Sequence, residues 1–239
     1  MEGDRLFEKI QLVDVQQRLI RNIVSIRSSQ DLFDDLSDAA VDWALAQRTE
    51  DAVKPPSYAS HTPVIDRPFE DAEWFNSVMW PFKHWQASRY SDGTFGVWYG
   101  SSQAETTVYE TVYHWYSGLL NDAGFDRENV VGERKLYNVS CGAMLWDLRS
   151  LFLSDARLRH ATDYSFPQSL GARLHREGHP GLLTHSVRHS GGENFVIMNP
   201  DVLSEPQLHC QLTYRLDGHR IVIEKQTGVE WMEISTEAL

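Results

Sequence analysis

Arg89-Tyr-Ser-Asp-Gly-Thr-Phe-Gly-Val-Trp-Tyr99-Gly-Ser-Ser-Gln-Ala-Glu-Thr-Thr-Val-Tyr-Glu110 is the stretch on which the reading of this chain turns. Thr94 to Gly100 carries the aromatic and β-branched content of a short strand, ended by Gly100 and two serines. Ser101 or Ser102 then predicts a helix N-cap, with Glu105 in the first turn. Ala104, Val108, Thr111, Val112 and Trp115 mark the buried side of that helix, which should end near Gly118. The segment sets a cation (Arg89), an aromatic ring (Tyr99) and an acid (Glu110) on loop, strand and helix in turn.

Working outward, Leu6, Ile10, Val13, Val15, Leu19, Ile20, Ile23, Val24 and Ile26 recur at roughly helical spacing and predict a helix over 5–27. A second helix is expected over 30–48, with Ala39, Ala40, Trp43, Ala44 and Leu45 as its apolar stripe. Pro55, Pro56 and Pro63 break the pattern, and the chain divides best there. Downstream, strands are expected at 134–141, 143–148, 194–199, 207–216 and 219–224, with a hairpin at Asp217-Gly218. A helix over 164–177 precedes a turn at Gly178-His-Pro-Gly181. The composite is mixed α and β, with no internal repeat and no low-complexity tract.

The chain has 239 residues and a formal net charge of −12, and 41% of its residues are hydrophobic. That length buries enough surface to stand without disulfide or metal staples. Cys141 and Cys210, far apart and in no CxxC pair, point to a reducing compartment. The first residues have no signal-peptide core, and no apolar run is long enough to span a membrane, so a cytoplasmic location is expected. No Lys/Arg run suited to a phosphate backbone occurs, which argues against direct nucleic-acid binding. Trp74, Trp80, Trp85 and Trp98 are read as an aromatic core, with a stacking site for a flat ligand as the alternative.

The Arg89/Tyr99/Glu110 order resembles the RES domain family, the toxin half of a class of toxin–antitoxin pairs. A second stretch, Gly178-His-Pro-Gly-Leu-Leu-Thr-His-Ser186-Val-Arg188 followed by Gly192-Glu-Asn-Phe-Val-Ile-Met-Asn-Pro200, resembles that family's Ser-x-Arg turn and the strand after it. Arg67 resembles the arginine that opens these domains. Arg89 is followed by Tyr-Ser where the family usually has Trp-Asn, and Ser186 follows His185 where Pro is usual.

The resemblance implies an α+β fold like that of ADP-ribosyltransferases, a split antiparallel sheet with flanking helices. Residues 62–217 would form the domain, 1–61 an N-terminal helical extension and linker, and 218–239 a C-terminal strand and tail. It implies cleavage of the nicotinamide–ribose bond of NAD, taken as substrate, with water or phosphate as acceptor and no metal. Glu110 would stabilise the developing oxocarbenium ion. Arg89 would grip pyrophosphate or ribose, Tyr99 would lie against the nicotinamide or its ribose, and Ser186 would hydrogen-bond the ligand. Arg67 and Arg188 would join Arg89 and Tyr99 in binding NAD.

An Xre-type antitoxin is the implied protein partner, and the two N-terminal helices leave room for a homo-oligomer. Transfer of ADP-ribose to a protein, and a non-enzymatic module that keeps the fold, are the alternatives. Two His pairs with i,i+4 spacing, His175/His179 and His185/His189, lack the acid of an HExxH site. Neither GxSxG nor a phosphate-binding glycine motif occurs.

Overall fold

The computed structural model describes residues 10–25, 72–125 and 129–239. Arg67, the helix expected over 30–48 and the proline-rich break lie outside these residues. Ten strands are described. Eight of them, β1 (Gln11–Val24), β4 (Trp98–Gly100), β5 (Val131–Asp147), β6 (Gly181–His185), β7 (Glu193–Ile197), β8 (Leu203–Asp217), β9 (Arg220–Gln226) and β10 (Val229–Ser235), form one sheet. The other two, β2 (Ala87–Ser88) and β3 (Ser91–Asp92), make a small ladder around Arg89 and Tyr90.

The sheet is split around β5. Its first half pairs with β8, from Val131↔Arg215 to Cys141↔Leu203, and β9 and β10 extend that limb. At its far end Trp146 and Asp147 pair in parallel with Leu182 and Leu183 of β6, which leads through β7 to β4. Every other pairing is antiparallel. Along β5, Tyr137, Val139, Cys141, Ala143 and Leu145 alternate inward into the core with Val15, Leu19, Trp98, Leu183, Phe195 and Ile197. That single strand takes in the two expected at 134–141 and 143–148, because Gly142 lies on the opposite face, across from Gln16, and does not interrupt pairing.

The helix expected over 5–27 is corrected by β1, whose fourteen residues pair with β5 from Gln11↔Asp147 to Val24↔Arg134. Its apolar alternation is masked because Gln17 and Arg21 interrupt the face that carries Val13, Val15, Leu19 and Ile23, and Ile20 adds an apolar residue to the other. Val15 and Leu19 enter the β5 core, while Ile20 packs against a second core under the long helix. Val13, Val15, Ile20, Ile23 and Val24 are β-branched, which favours extended backbone. Beyond its pairing with β5, Ile20 exchanges backbone hydrogen bonds with Ser101, N to O at 2.6 Å and back at 3.0 Å. β1 therefore ties the central strand to the end of β4.

A π-helical turn, Phe75–Met79, runs into α1 (Trp80–Lys83). Helix α2 (Ala104–Tyr113) continues through a π-helical stretch, His114–Leu120, into α3 (Asn121–Ala123). It stops at Gly124, whose φ of 78° suits the left-handed cap, and not at Gly118. Its N-cap is Gln103 with no side-chain cap bond; the Ser101 hydroxyl accepts from the Gln103 N–H at 3.2 Å and donates across to the Glu193 carbonyl at 2.6 Å. Helices α4 (Arg149–Ser154), α5 (Ala156–Arg159) and α6 (Ser165–Arg176) cover the β6–β7 limb. α6 matches the helix expected over 164–177. The Asp217-Gly218 hairpin joins β8 to β9, with Asp217 paired to Arg220. β6 and β10 arise where a turn and a tail were expected.

Candidate active site

The split leaves a cavity of about 420 Å³ between β1, the β2–β3 ladder, β4 and α2. That size falls in the range of small-molecule sites. Arg89, Tyr99, Glu110 and Arg188 all line it, so four residues singled out in the sequence come together. Ser186 stands behind the wall, 7% exposed and in contact with Glu110.

Glu110 is the one acid among the described lining residues. Its Oε1 accepts from the Ser186 hydroxyl at 2.7 Å and from Asn194 Nδ2 at 2.6 Å, which fixes the carboxylate from two sides. Ser186 also accepts from the backbone N–H of Arg188 (3.1 Å) and of His189 (2.9 Å). One hydroxyl thus stiffens the Ser-x-Arg turn and donates its proton to the acid. β6 and β7 set this up: Thr184 pairs with Asn194, and Ser186 N closes the pair with the Gly192 carbonyl at 2.8 Å.

Arg89 sits between β2 and β3 and reaches the segment after α5. Nη1 donates to the His160 carbonyl at 2.9 Å and Nη2 to that of Ala161 at 3.3 Å, with the Tyr164 ring 4.4 Å from the guanidinium. Arg188 donates to the same Ala161 carbonyl and lies over the Tyr113 ring, 3.3 Å from its centroid. Both guanidiniums are held flat by a ring and anchored on carbonyls, which keeps the charge and fixes its place. Tyr99 accepts from Tyr90 N–H at 3.1 Å and donates to the Ser88 hydroxyl at 2.9 Å. Burial pushes its phenol well above the usual range, so it stays neutral.

Of the lining residues that the sequence reading missed, three bear most on the site. Arg21 of β1 donates from Nη1 to the Tyr99 carbonyl at 2.7 Å. Asn194 stood in the quoted second motif without a role; its place opposite Thr184, one turn from Ser186, is the signal that could have found it. His114 follows Glu110 by one helical turn on the cavity wall, and desolvation holds its imidazole below the ordinary range despite Glu110 nearby.

Arg21, Arg89 and Arg188 form no salt bridge with any described residue, although the chain carries twelve net negative charges. The cavity is a basic pocket around one fixed carboxylate.

The other features noted in the sequence go to structure. His175 stacks on Phe95 at 4.2 Å and His189 on Tyr109 at 4.6 Å, while His179 and His185 meet Trp146 and Phe152 edge-on. Trp98 is fully buried, with Nε1 donating to the Ser77 carbonyl at 2.8 Å, and none of Trp74, Trp80, Trp85 and Trp98 lines the cavity. Among the described residues no three His, Cys, Asp or Glu side chains are grouped to hold a metal, and no helix is long and apolar enough to cross a membrane.

Fold and site together define an α+β protein with a split, mostly antiparallel sheet and a basic cleft built around one acid. The chain belongs to the RES domain family, whose profile matches residues 64–217. No curated protein matches the sequence. One solved structure similar to it, described as the M. tuberculosis MbcT-MbcA toxin–antitoxin complex, is 12% identical, with a TM-score of 0.47 and coverage of 89% of this chain and 90% of that one.

Proposed function

We propose that this protein cleaves the nicotinamide–ribose bond of NAD. The observation that carries the reading is a carboxylate, Glu110, fixed by Ser186 and Asn194 in a cavity whose other charges, among the described residues, are three arginines without acid partners there. An anionic dinucleotide matches the arginines, and a positively charged transition state matches the acid. As the C1′–N bond breaks, its electron pair leaves with neutral nicotinamide and the ribose becomes oxocarbenium-like. Glu110 stabilises that charge because its part-buried carboxylate is positioned beforehand by Ser186 and Asn194. An acceptor, water or phosphate, then forms the new bond at C1′ and releases a proton. Arg89 and Arg188 hold the phosphates, and the Tyr99 ring supports the base or its ribose.

Membership of the RES family supports reading the chain as the toxin of a pair whose antitoxin covers this cleft. The test is purified protein incubated with NAD, with and without phosphate, while free nicotinamide is followed. Nicotinamide release supports the reading. Intact NAD under both conditions defeats it, and label transferred from NAD to a protein would move the acceptor to a side chain.

A further inference from the structure

Arg21 lies outside the stretch that the family profile matches, on a strand whose sequence gave no hint of the cleft. Pairing with β5 and the bridge from Ile20 to Ser101 nonetheless bring it to the cavity wall beside Tyr99. Its surroundings are poor for a cation. Nη1 donates to the Tyr99 carbonyl at 2.7 Å, the Trp98 ring centroid is 5.6 Å from the guanidinium, and Nε is buried with no partner. Nη2 has no hydrogen bond to a described residue.

Desolvation lowers the guanidinium to about 10, still well above neutrality, so the charge persists. A desolvated cation is costly unless an anion pairs with it. Among the described residues the nearest formal acid in the cavity, Glu110, is already taken by Ser186 and Asn194 and makes no salt bridge with Arg21. A carbonyl and a ring can orient Arg21, but neither cancels its charge.

Building on the NAD reading, we propose that Arg21 is a substrate-binding residue whose free guanidinium edge takes a phosphate oxygen of a nucleoside diphosphate group. β1 is then part of the active site and not an accessory to it. The alternative is that Arg21 only pins the Tyr99 carbonyl. Arg21→Gln removes the charge, and comparing a phosphate-bearing ligand with one that lacks phosphate separates the two roles, since a lost pin on Tyr99 would weaken both alike.

The experiment measures kcat and KM for NAD, together with calorimetric affinities for ADP and for adenosine, in wild type, Arg21→Gln and Arg21→Lys. In Arg21→Gln, KM for NAD and the ADP dissociation constant should rise tenfold or more, with kcat within about twofold and adenosine affinity unchanged. Wild-type ADP affinity in Arg21→Gln, or equal weakening toward ADP and adenosine, overturns the proposal. If Arg21→Gln does not fold, Arg21→Lys decides. A selective loss of ADP affinity of about threefold or more is expected there, because the planar fork is gone, and unchanged affinity overturns the proposal. Should wild type leave NAD intact while Arg21→Gln still loses ADP selectively, the phosphate subsite stands and the NAD-cleavage reading falls.

Discussion

Replacing Ser186 with alanine removes one oxygen that serves three partners. Its proton goes to Glu110 Oε1 at 2.7 Å, and its lone pairs take the N–H groups of Arg188 at 3.1 Å and His189 at 2.9 Å. A hydrogen bond to a charged group contributes roughly 1.5–3 kcal/mol. If that energy holds the carboxylate where the oxocarbenium charge develops, its loss slows the chemical step by about 10- to 100-fold, at about 1.4 kcal/mol per decade. Asn194 still holds Oε1, so activity should fall without vanishing. The two N–H groups lose an acceptor in a part-buried turn. At about 1 kcal/mol each, and about 2–4 °C per kcal/mol for a chain of this size, Tm should drop by roughly 4–8 °C. Because Ser186 does not line the cavity, KM for NAD should stay within about threefold. The assay is steady-state nicotinamide release beside a thermal melt. A large rise in KM with kcat unchanged would place the hydroxyl on the substrate and refute the argument from geometry.

Two further perturbations test the frame around the site. Gly171 of α6 packs against the Tyr90 carbonyl, and a Cβ there would collide with that backbone. Gly171→Ala should therefore lower Tm by several degrees, consistent with about 1–3 kcal/mol for overpacking, and a melt equal to wild type would show that α6 has room to shift. Arg149 bonds both Asp147 (2.6 Å) and Glu193 (2.8 Å) beside the β5–β6 junction. Its hydrogen bonds hold the Asp147 carboxyl below the usual range. A depressed native value means that the unfolded chain binds the proton first. The pair therefore stabilises the fold above about pH 4, and the benefit is lost as pH falls through the native value. Arg149→Gln should lower Tm at pH 7 and flatten the loss of Tm between about pH 4 and 2; a parallel pair of profiles would contradict this.

The lining of the cleft was legible where side chains carry it. Arg89, Tyr99 and Glu110 stand at intervals that a loop, a strand and a helix bring to one hollow, and the amphipathic patterns of α2 and α6 marked those helices. What stayed hidden depends on tertiary pairing. β1 turns Val13, Val15, Leu19 and Ile23 to one core, but Gln17 and Arg21 interrupt that face, and the remaining four-residue spacing made Val15, Leu19 and Ile23 look helical. Arg21 disappeared from view with it. The anchors of Arg89 are main-chain carbonyls at His160 and Ala161, which no side-chain pattern encodes. Ser186 was expected to reach the ligand. Its bond to Glu110 depends on β6, a strand whose few buried residues read as the end of a turn.

Nicotinamide release from NAD by folded wild type and folded Glu110→Gln is the most direct trial of the account. The amide keeps the size of the side chain and most of its contacts but removes the negative charge. Wild type should turn NAD over, and the variant should lose on the order of a hundredfold or more in kcat, with NAD still bound, as expected when a positioned group of about 3 kcal/mol is deleted. Equal rates in the two proteins would contradict the claim that one fixed carboxylate drives the chemistry of this cleft.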